Sequence, residues 1–350
     1  MFLGNNNVKG DEHMIKNNVM QKVCMYEFGT SKVMKLEEQA IPIPGSGEVI
    51  VRIAFASVNF LDIQHRRGDL VTQNFYQKKG GISHTFPVTL GSQGVGTVEA
   101  IGPNVETIQV GDRVVCAGGS GTYASHVLIS SQRVIPIPDE ISFEHAAAGL
   151  IQGFLAWAFT NYAYPIKKED WCLIHAAAGG IGLFLCQMAK IRGGHVIGVT
   201  SKKEKARYVL EAGADEVIIS TQSDIVKEVK RITNGQGVNV VYDGVGKDTF
   251  DASLNSLALG GYMINYGQSS GYVPPIDLMT LQEKGSLFIT RTNGLPYMKY
   301  WSQYIRDFVT WVQSGKLSIK IDRTYSLADA DLAHEAVERR ETSGRILLTP

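Results

Sequence analysis

Apolar and polar positions divide the chain into two unlike stretches. From Gln21 to about Ile137, β-branched residues come in short bursts set off by glycine and proline, as at Glu48–Ala56, Gly94–Gly102 and Gly111–Cys116. Short strands at this spacing predict a barrel-like, β-rich module rather than a parallel sheet. The pattern changes near Ser142, where Glu144–Tyr162 is rich in alanine and aromatics and long enough for a helix. Beyond it, apolar runs predict strands at Trp171–Ala176, His195–Thr200, Glu216–Ile219, Val238–Tyr242 and Tyr262–Tyr266. Amphipathic segments between them predict helices at Ile181–Arg192, Lys202–Glu211, Ile225–Ile232 and Thr249–Leu259. Apolar strands alternating with such helices imply a parallel sheet covered on both faces. After about Ser286 the alternation ends. Tyr297–Ser314 predicts a long helix with Trp301, Ile305, Phe308 and Trp311 on one face, Leu327–Arg339 another, and Arg345–Leu348 a last strand. That strand is expected to return to the first module, making the parallel-sheet unit an insertion.

Composition narrows the class of function. Lys+Arg 34 balances Asp+Glu 34, so no net field recruits nucleic acid or an anionic membrane. No apolar run is long enough to span a bilayer. Cys24, Cys116, Cys172 and Cys186 form no C-x-x-C pair, which points to a reducing cytoplasm rather than a disulfide framework. Residues 1–19 carry Asn5, Asn6, Asn7 and scattered charges without an apolar segment, and read as a mobile tail rather than a signal peptide.

The chemistry begins at the loop Ala177-Ala178-Gly179-Gly180-Ile181-Gly182, between a predicted strand and a predicted helix. A dinucleotide turn reads G-x-G-x-x-G: its second glycine admits the pyrophosphate and its third lets helix and strand pack closely. Gly179 and Gly182 take those places, and Ala177 replaces the first glycine. The following helix offers free N–H groups and its positive dipole end to phosphates. A glycine-rich turn in an unrelated α/β protein is the bland alternative. About 20 residues on, an NAD enzyme carries an acid for the ribose 2′-OH. Here the next strand ends Thr200-Ser201-Lys202-Lys203, and Glu204 fits a capping box with Ser201. Hydroxyls and lysines there favour a 2′-phosphate, hence NADPH, unless they form a merely solvated helix start. The glycine-rich exits after Tyr242 and Tyr266 should face the same ligand.

Separated segments then carry a specific resemblance: Val58–Asp62, Gly111–Val114, His175–Gly182, Val240–Gly246, Tyr266–Gly271 and Gly285–Arg291. From about Val23 to the C-terminus the chain resembles the zinc-free quinone oxidoreductases, related to zeta-crystallin, of the medium-chain dehydrogenase/reductase superfamily, the bacterial NADPH:quinone oxidoreductases above all. The resemblance implies a Rossmann-type doubly wound parallel sheet domain, residues 151–289, inserted into a GroES-like β-rich domain, residues 20–150 and 290–350. It implies a homodimer as well. Positions that hold catalytic zinc in metal-dependent relatives correspond to Asn59, Ser92 and Gln152, none a usual ligand. Asn59 is expected beside the nicotinamide; Asp62 is expected either there or bracing its own loop. Gly179, Gly180 and Ile181 are expected at the pyrophosphate, and Ser201, Lys205 and Ser220 at the 2′-phosphate end. Gly244 is expected near the adenosine, and Tyr266 and Ser269 near the ribose-phosphate chain. Arg291 and Arg345 fall in segments placed near the nicotinamide end, or are structural. Two tyrosines of the relatives are replaced by Gln64 and Val71.

Without a metal to polarise a carbonyl, alcohol oxidation fits poorly, whereas hydride transfer to an electron-poor acceptor needs mainly position and exclusion of water. A quinone is the leading acceptor and an α,β-unsaturated ketone or aldehyde the second. A non-catalytic NADPH-binding or crystallin-like protein is the reading from another class.

Overall fold

The computed structural model describes residues 18–69, 85–118 and 121–350. The expected tail falls outside these residues except at its end, where Val19 opens a strand. The first module contains β1 (Val19–Met25), β2 (Lys35–Ala40), β3 (Glu48–Val58), β4 (Val88–Thr89), β5 (Gln93–Ile101), β6 (Arg113–Ala117), β7 (His126–Ser130) and β8 (Val134–Pro136). The second contains β9 (Trp171–Ile174), β10 (His195–Thr200), β11 (Glu216–Ile219), β12 (Val238–Asp243), β13 (Leu257–Asn265) and β14 (Phe288–Arg291). Two strands close the chain, β15 (Ile321–Ser326) and β16 (Arg345–Thr349).

The second module is a six-stranded sheet in the order β11-β10-β9-β12-β13-β14, with every pair parallel. Counted from β9, that is 3-2-1-4-5-6, the Rossmann order, whose switch point lies between β9 and β12. Helices run between the strands. Gly180–Ile191 follows β9, Ala206–Glu211 follows β10, Ile225–Ile232 follows β11 and Phe250–Ser256 follows β12. The strands read as continuous apolar runs because both faces are covered, and Leu173, Ile197, Val240 and Val241 are all buried.

The C-terminal strand does return. β16 pairs antiparallel with β3 through Ile346↔Val58, Leu347↔Ser57 and Leu348↔Ala56, and parallel with β15. The sheet β15-β16-β3-β5-β6-β8, with β7 also on β3, therefore uses both ends of the chain, and the Rossmann-type sheet is inserted between them. β1, β2 and β4 form a smaller antiparallel sheet.

Several local expectations shift. The helix expected at Thr249–Leu259 is only Phe250–Ser256, and Leu257 already begins β13. Gly260, at φ 67, and Gly261 cannot sustain a helix, and the Gly260 N–H instead meets the Gly285 carbonyl at 2.8 Å. β14 and β15 are additional strands after Ser286, short or polar enough to escape a pattern reading. The capping box at Ser201 and Glu204 does not form. Lys202 is the cap of a single 3-10 turn and no side chain caps it. The Ser201 carbonyl is tied down by Thr221 Oγ1 at 2.9 Å. The helix near Ser142 runs Phe143–Ala158, then a π turn, Phe159–Ala163. On helix Trp301–Gln313 the deepest residue besides Phe308 is Tyr304, which the expected face omitted. Tyr304 fits because Gly153 offers no side chain against it, and its hydroxyl donates to the Gly149 carbonyl at 3.3 Å.

Candidate active site

The glycine turn is built by the backbone of Ala176. This residue follows β9 in the left-handed region at φ 49, and its carbonyl accepts the Gly179 N–H at 2.9 Å. A Cβ on Gly182 would lie 2.5 Å from the Ala176 carbonyl oxygen and 2.7 Å from Ala177 Cα, so the third glycine is obligatory. A Cβ on Gly179 would meet only that carbonyl, at 3.1 Å, leaving its other side open. Ala177 replaces the first glycine without strain because its methyl faces Gly198 of β10. The first helical hydrogen bond runs from Leu183 N–H to the Gly179 carbonyl at 3.0 Å. The preceding amides, those of Gly180, Ile181 and Gly182, therefore stand at the positive end of the helix Gly180–Ile191.

The far end of the crevice lies beyond β10. Lys205 Nζ donates to the Thr342 carbonyl at 2.6 Å, while burial, with Lys202 adding to it, lowers its pKa. Ser220 Oγ donates to the Thr200 carbonyl at 3.5 Å. Ser201 and Ser220 follow the ends of the adjacent strands β10 and β11, whereas the Lys205 ammonium is drawn to Thr342, where Asp322 and Glu341 also act on it.

The loops after β12 and β13 interlock. A Cβ on Gly244 would meet the Tyr266 ring at 2.7 Å, and the Ser269 N–H donates to the Gly244 carbonyl at 3.3 Å. Their shape is set by Asp243, a residue that sequence reasoning placed in the segment without giving it a role. Its buried carboxylate accepts the N–H groups of Val245 at 2.8 Å and Gly246 at 3.0 Å, with the hydroxyls of Thr249 at 2.7 Å and Ser253 at 2.8 Å. His175 touches the same Ser253 hydroxyl at 3.0 Å, and burial lowers its pKa against the charge of Asp243.

At the other end, chain segments far apart in sequence converge on Asn59. Its Oδ1 accepts from Gln152 Nε2 at 2.8 Å and from Arg345 Nη2 at 2.9 Å, and its Nδ2 donates to Ser92 Oγ at 3.3 Å and Gln93 Oε1 at 3.4 Å. The three positions that correspond to zinc ligands in metal-dependent relatives, Asn59, Ser92 and Gln152, are therefore together. They present carboxamides and a hydroxyl already bonded to one another, which is not the thiolate and imidazole set that zinc takes. Gln93, missed in the sequence, sits at the centre of this cluster and anchors to the Ala147 carbonyl at 3.0 Å.

Asp62 lies beneath Asn59, at the third position of the helix Phe60–Arg67, and accepts the Asn59 N–H at 2.9 Å. Burial pushes its pKa up to about 6, against the opposing hydrogen bonds from Ser92, Asn59 and Tyr123. Arg345, 7% exposed, has its pKa brought down to about 10 by burial, an effect that Asp62 and Tyr123 partly offset. Its Nε is buried with no partner, and a Cβ on Gly180 would strike its Cδ at 2.6 Å. Arg345 thus touches both the amide cluster and the glycine turn. Arg291 stands apart from that group, donating to the Asn265 carbonyl at 3.2 Å. Gln64 crosses the crevice to the Gln268 carbonyl at 3.2 Å, whereas Val71 lies outside the described residues.

Comparison with known proteins agrees with this architecture. Residues 45–139 match the alcohol dehydrogenase GroES-like domain and residues 180–309 the zinc-binding dehydrogenase family. The quinone oxidoreductase of Salmonella typhimurium is 36% identical over 335 residues, covering 94% of this chain and 99% of that protein. A 2-haloacrylate reductase of a Burkholderia species is 34% identical over 326 residues, 90% of this chain and 94% of the relative. The crystal structure of Escherichia coli quinone oxidoreductase complexed with NADPH superimposes with a TM-score of 0.87 at 34% identity, over 94% of this chain and 100% of that one.

Proposed function

The chain belongs to the quinone oxidoreductases of the medium-chain dehydrogenase/reductase superfamily and is an NADPH-dependent enzyme of that kind; on that premise we propose which of its residues do the work. The cofactor supplies a hydride to a quinone without help from zinc. Gly179, Gly180 and Ile181 take the pyrophosphate on their amides, where the helix dipole favours negative charge. Ser201, Ser220 and Lys205 receive the 2′-phosphate, Lys205 leaving the Thr342 carbonyl to do so. Gly244, Tyr266 and Ser269 line the adenosine and ribose-phosphate path. Asn59 orients the nicotinamide end, Asp62 fixes the Asn59 backbone, and Arg345 holds the two together; Arg291 has the weaker support, being bonded to the Asn265 carbonyl. Residues 151–289 would form most of the cofactor domain, with β14 carrying its sheet on to Arg291 and the helix Phe143–Ala158 crossing its start, and the rest of residues 20–150 and 290–350 the substrate side.

The observation that carries the assignment is the Arg345 guanidinium, buried between Asn59 Oδ1 and Gly180. A buried arginine with an unpartnered Nε is costly unless a polar ligand completes it. Replacement by methionine (Arg345→Met) keeps the stem and removes the charge. Turnover of NADPH with 1,4-benzoquinone should fall about 10- to 100-fold in kcat/KM, the worth of hydrogen bonds to a charged group. A folded variant with wild-type kcat/KM would remove Arg345 from the site. The likeness to 2-haloacrylate reductase makes conjugated acids and enones the second acceptor class for the same assay.

A homodimer and a cytoplasmic setting complete the reading. β14 is one of the two outer strands of the parallel sheet, with Phe288 half exposed and Leu259, Leu278 and Met279 exposed. All four cysteines are free and buried, and no helix among the described residues is long and apolar enough to cross a membrane.

A further inference from the structure

Behind Asp62 lies a chain of buried polar groups that hydride transfer does not use directly. Tyr123 donates its hydroxyl to Asp62 Oδ2 at 3.3 Å, and the Tyr123 hydroxyl oxygen lies 3.0 Å from His334 Nε2. His334 Nδ1 faces Arg66 Nη1 at 3.3 Å, and Arg66 is clamped by Glu338 at 2.5 Å and 3.3 Å. Tyr123, His334 and Arg66 are all buried, whereas the Glu338 side chain reaches the surface, where it also pairs with Arg67 at 2.6 Å.

The proton positions along this chain follow from donor arithmetic. Arg66 has only donors, so the nitrogen of His334 that faces it must accept. The imidazole is neutral, because burial and the charges of Arg66 and Arg67 bring its pKa down to about 3. A neutral imidazole has one N–H, which must then be on Nε2 and point at the Tyr123 oxygen. With that oxygen's acceptor side occupied, the Tyr123 O–H is left for Asp62. Every donor in the chain is thereby aimed inward.

We infer that Tyr123, His334 and Arg66 form a positioning relay that holds the Asp62 carboxylate in its ionised form beneath Asn59, so that the helix Ala330–Glu338 sets the protonation state of the site. The inference rests on the reading that Asp62 belongs to that site. The charged and titratable groups that face Asp62 from the packed elements are Tyr123 from the loop before β7 and Arg345 from β16, with Ser92 a further hydrogen-bond donor; Arg66, one turn along the same helix, acts on Tyr123. Arg345 supplies the cation on one side, and the relay supplies an oriented donor on the other.

The test is the pH profile of kcat/KM for NADPH and 1,4-benzoquinone. Tyr123→Phe, which loses only an oxygen, should move the midpoint of the acid limb upward by about one pH unit, the worth of one hydrogen bond to a carboxylate. His334→Leu should shift it in the same direction. His334→Gln should restore the wild-type midpoint, since its amide can accept from Arg66 and donate to Tyr123. An unmoved acid limb in folded Tyr123→Phe overturns the relay, as does a His334→Gln profile that matches His334→Leu. If His334→Leu does not fold, Tyr123→Phe decides alone. Asp62→Asn separates the premise from the inference. If it leaves rate and acid limb unchanged, Asp62 is not in the site; if it removes the acid limb while Tyr123→Phe moves nothing, only the relay fails.

Discussion

A 2′-phosphate needs a cation, and the strand end beyond β10 offers Lys205, partly buried, its pKa lowered by that burial and by Lys202. Reversing the charge in Lys205→Glu should raise KM for NADPH by about 10- to 100-fold and barely change it for NADH, a difference read in parallel steady-state assays. Equal effects on both cofactors would remove the 2′-phosphate role. Asp62 makes a second residue-scale prediction, this time about stability. Its folded pKa, about 6, is above the usual 3.8, so protonation favours the folded state. Its contribution is fully present below pH 3.8 and is lost as the pH rises through 6, on the order of 3 kcal/mol in all. Asp62→Asn cannot titrate, so the difference in unfolding free energy between wild type and variant should change with pH in that window and be flat above it. A pH-independent difference in denaturant titrations at pH 4 and pH 7 would contradict the raised pKa.

The strand-turn-helix at β9 was legible because its evidence is local: apolar run, glycine spacing and amphipathic helix lie within about 20 consecutive residues, the scale on which side-chain period speaks. The basic strand end after β10 was legible for the same reason. Where two local readings compete, legibility fails. Leu257, Ala258 and Leu259 continue a helical pattern as well as they begin a strand, and only the pairing of β13 with β12 and β14 decides. Ala177 shows a further limit, since its acceptability depends on Gly198, which faces it from the next strand. Two glycines at this junction should therefore respond alike. Gly182→Ala drives a methyl onto the Ala176 carbonyl, and Gly198→Ala drives one onto Val209. Each should lower stability by about 1–3 kcal/mol in urea titrations. Gly182→Ala should also weaken NADPH binding, because the helix must move off the turn. A Gly182→Ala enzyme of wild-type stability and affinity would show that the close packing is dispensable.

Across the whole molecule, the crevice exists because the chain leaves its first sheet, builds a second, and comes back. Asn59 and Arg345 are bonded although 286 residues separate them, so no local pattern could join them; only the family resemblance brought Gln152 and Arg345 towards Asn59, and Gln93 was missed. Tyr123 and His334 were illegible for the same reason, being apart in sequence and adjacent only once β16 pairs with β3. At one edge of the parallel sheet, opposite β11, lies β14. Monomeric proteins protect such an edge with charge, proline or a bulge. β14 carries Phe288, Ile289 and Thr290, and among its four residues only Arg291 is charged. Its side-chain guanidinium is turned onto the Asn265 carbonyl, so it guards the edge poorly. In the homodimer proposed above, a second copy related by a two-fold axis would pair with this edge, cover Phe288 and give one continuous sheet, since a two-fold contact places the same patch on both sides. Phe288 stacks on Tyr262 with centroids 4.5 Å apart, which holds its ring in place on the sheet. Phe288→Glu would put a like charge on this edge in each copy while disturbing little of the isolated fold, because the ring is half exposed. Light scattering on the purified chain should give a dimer mass for the wild type and a monomer mass for Phe288→Glu. A wild-type monomer, or a variant dimer of unchanged affinity, would place the assembly surface elsewhere or remove it.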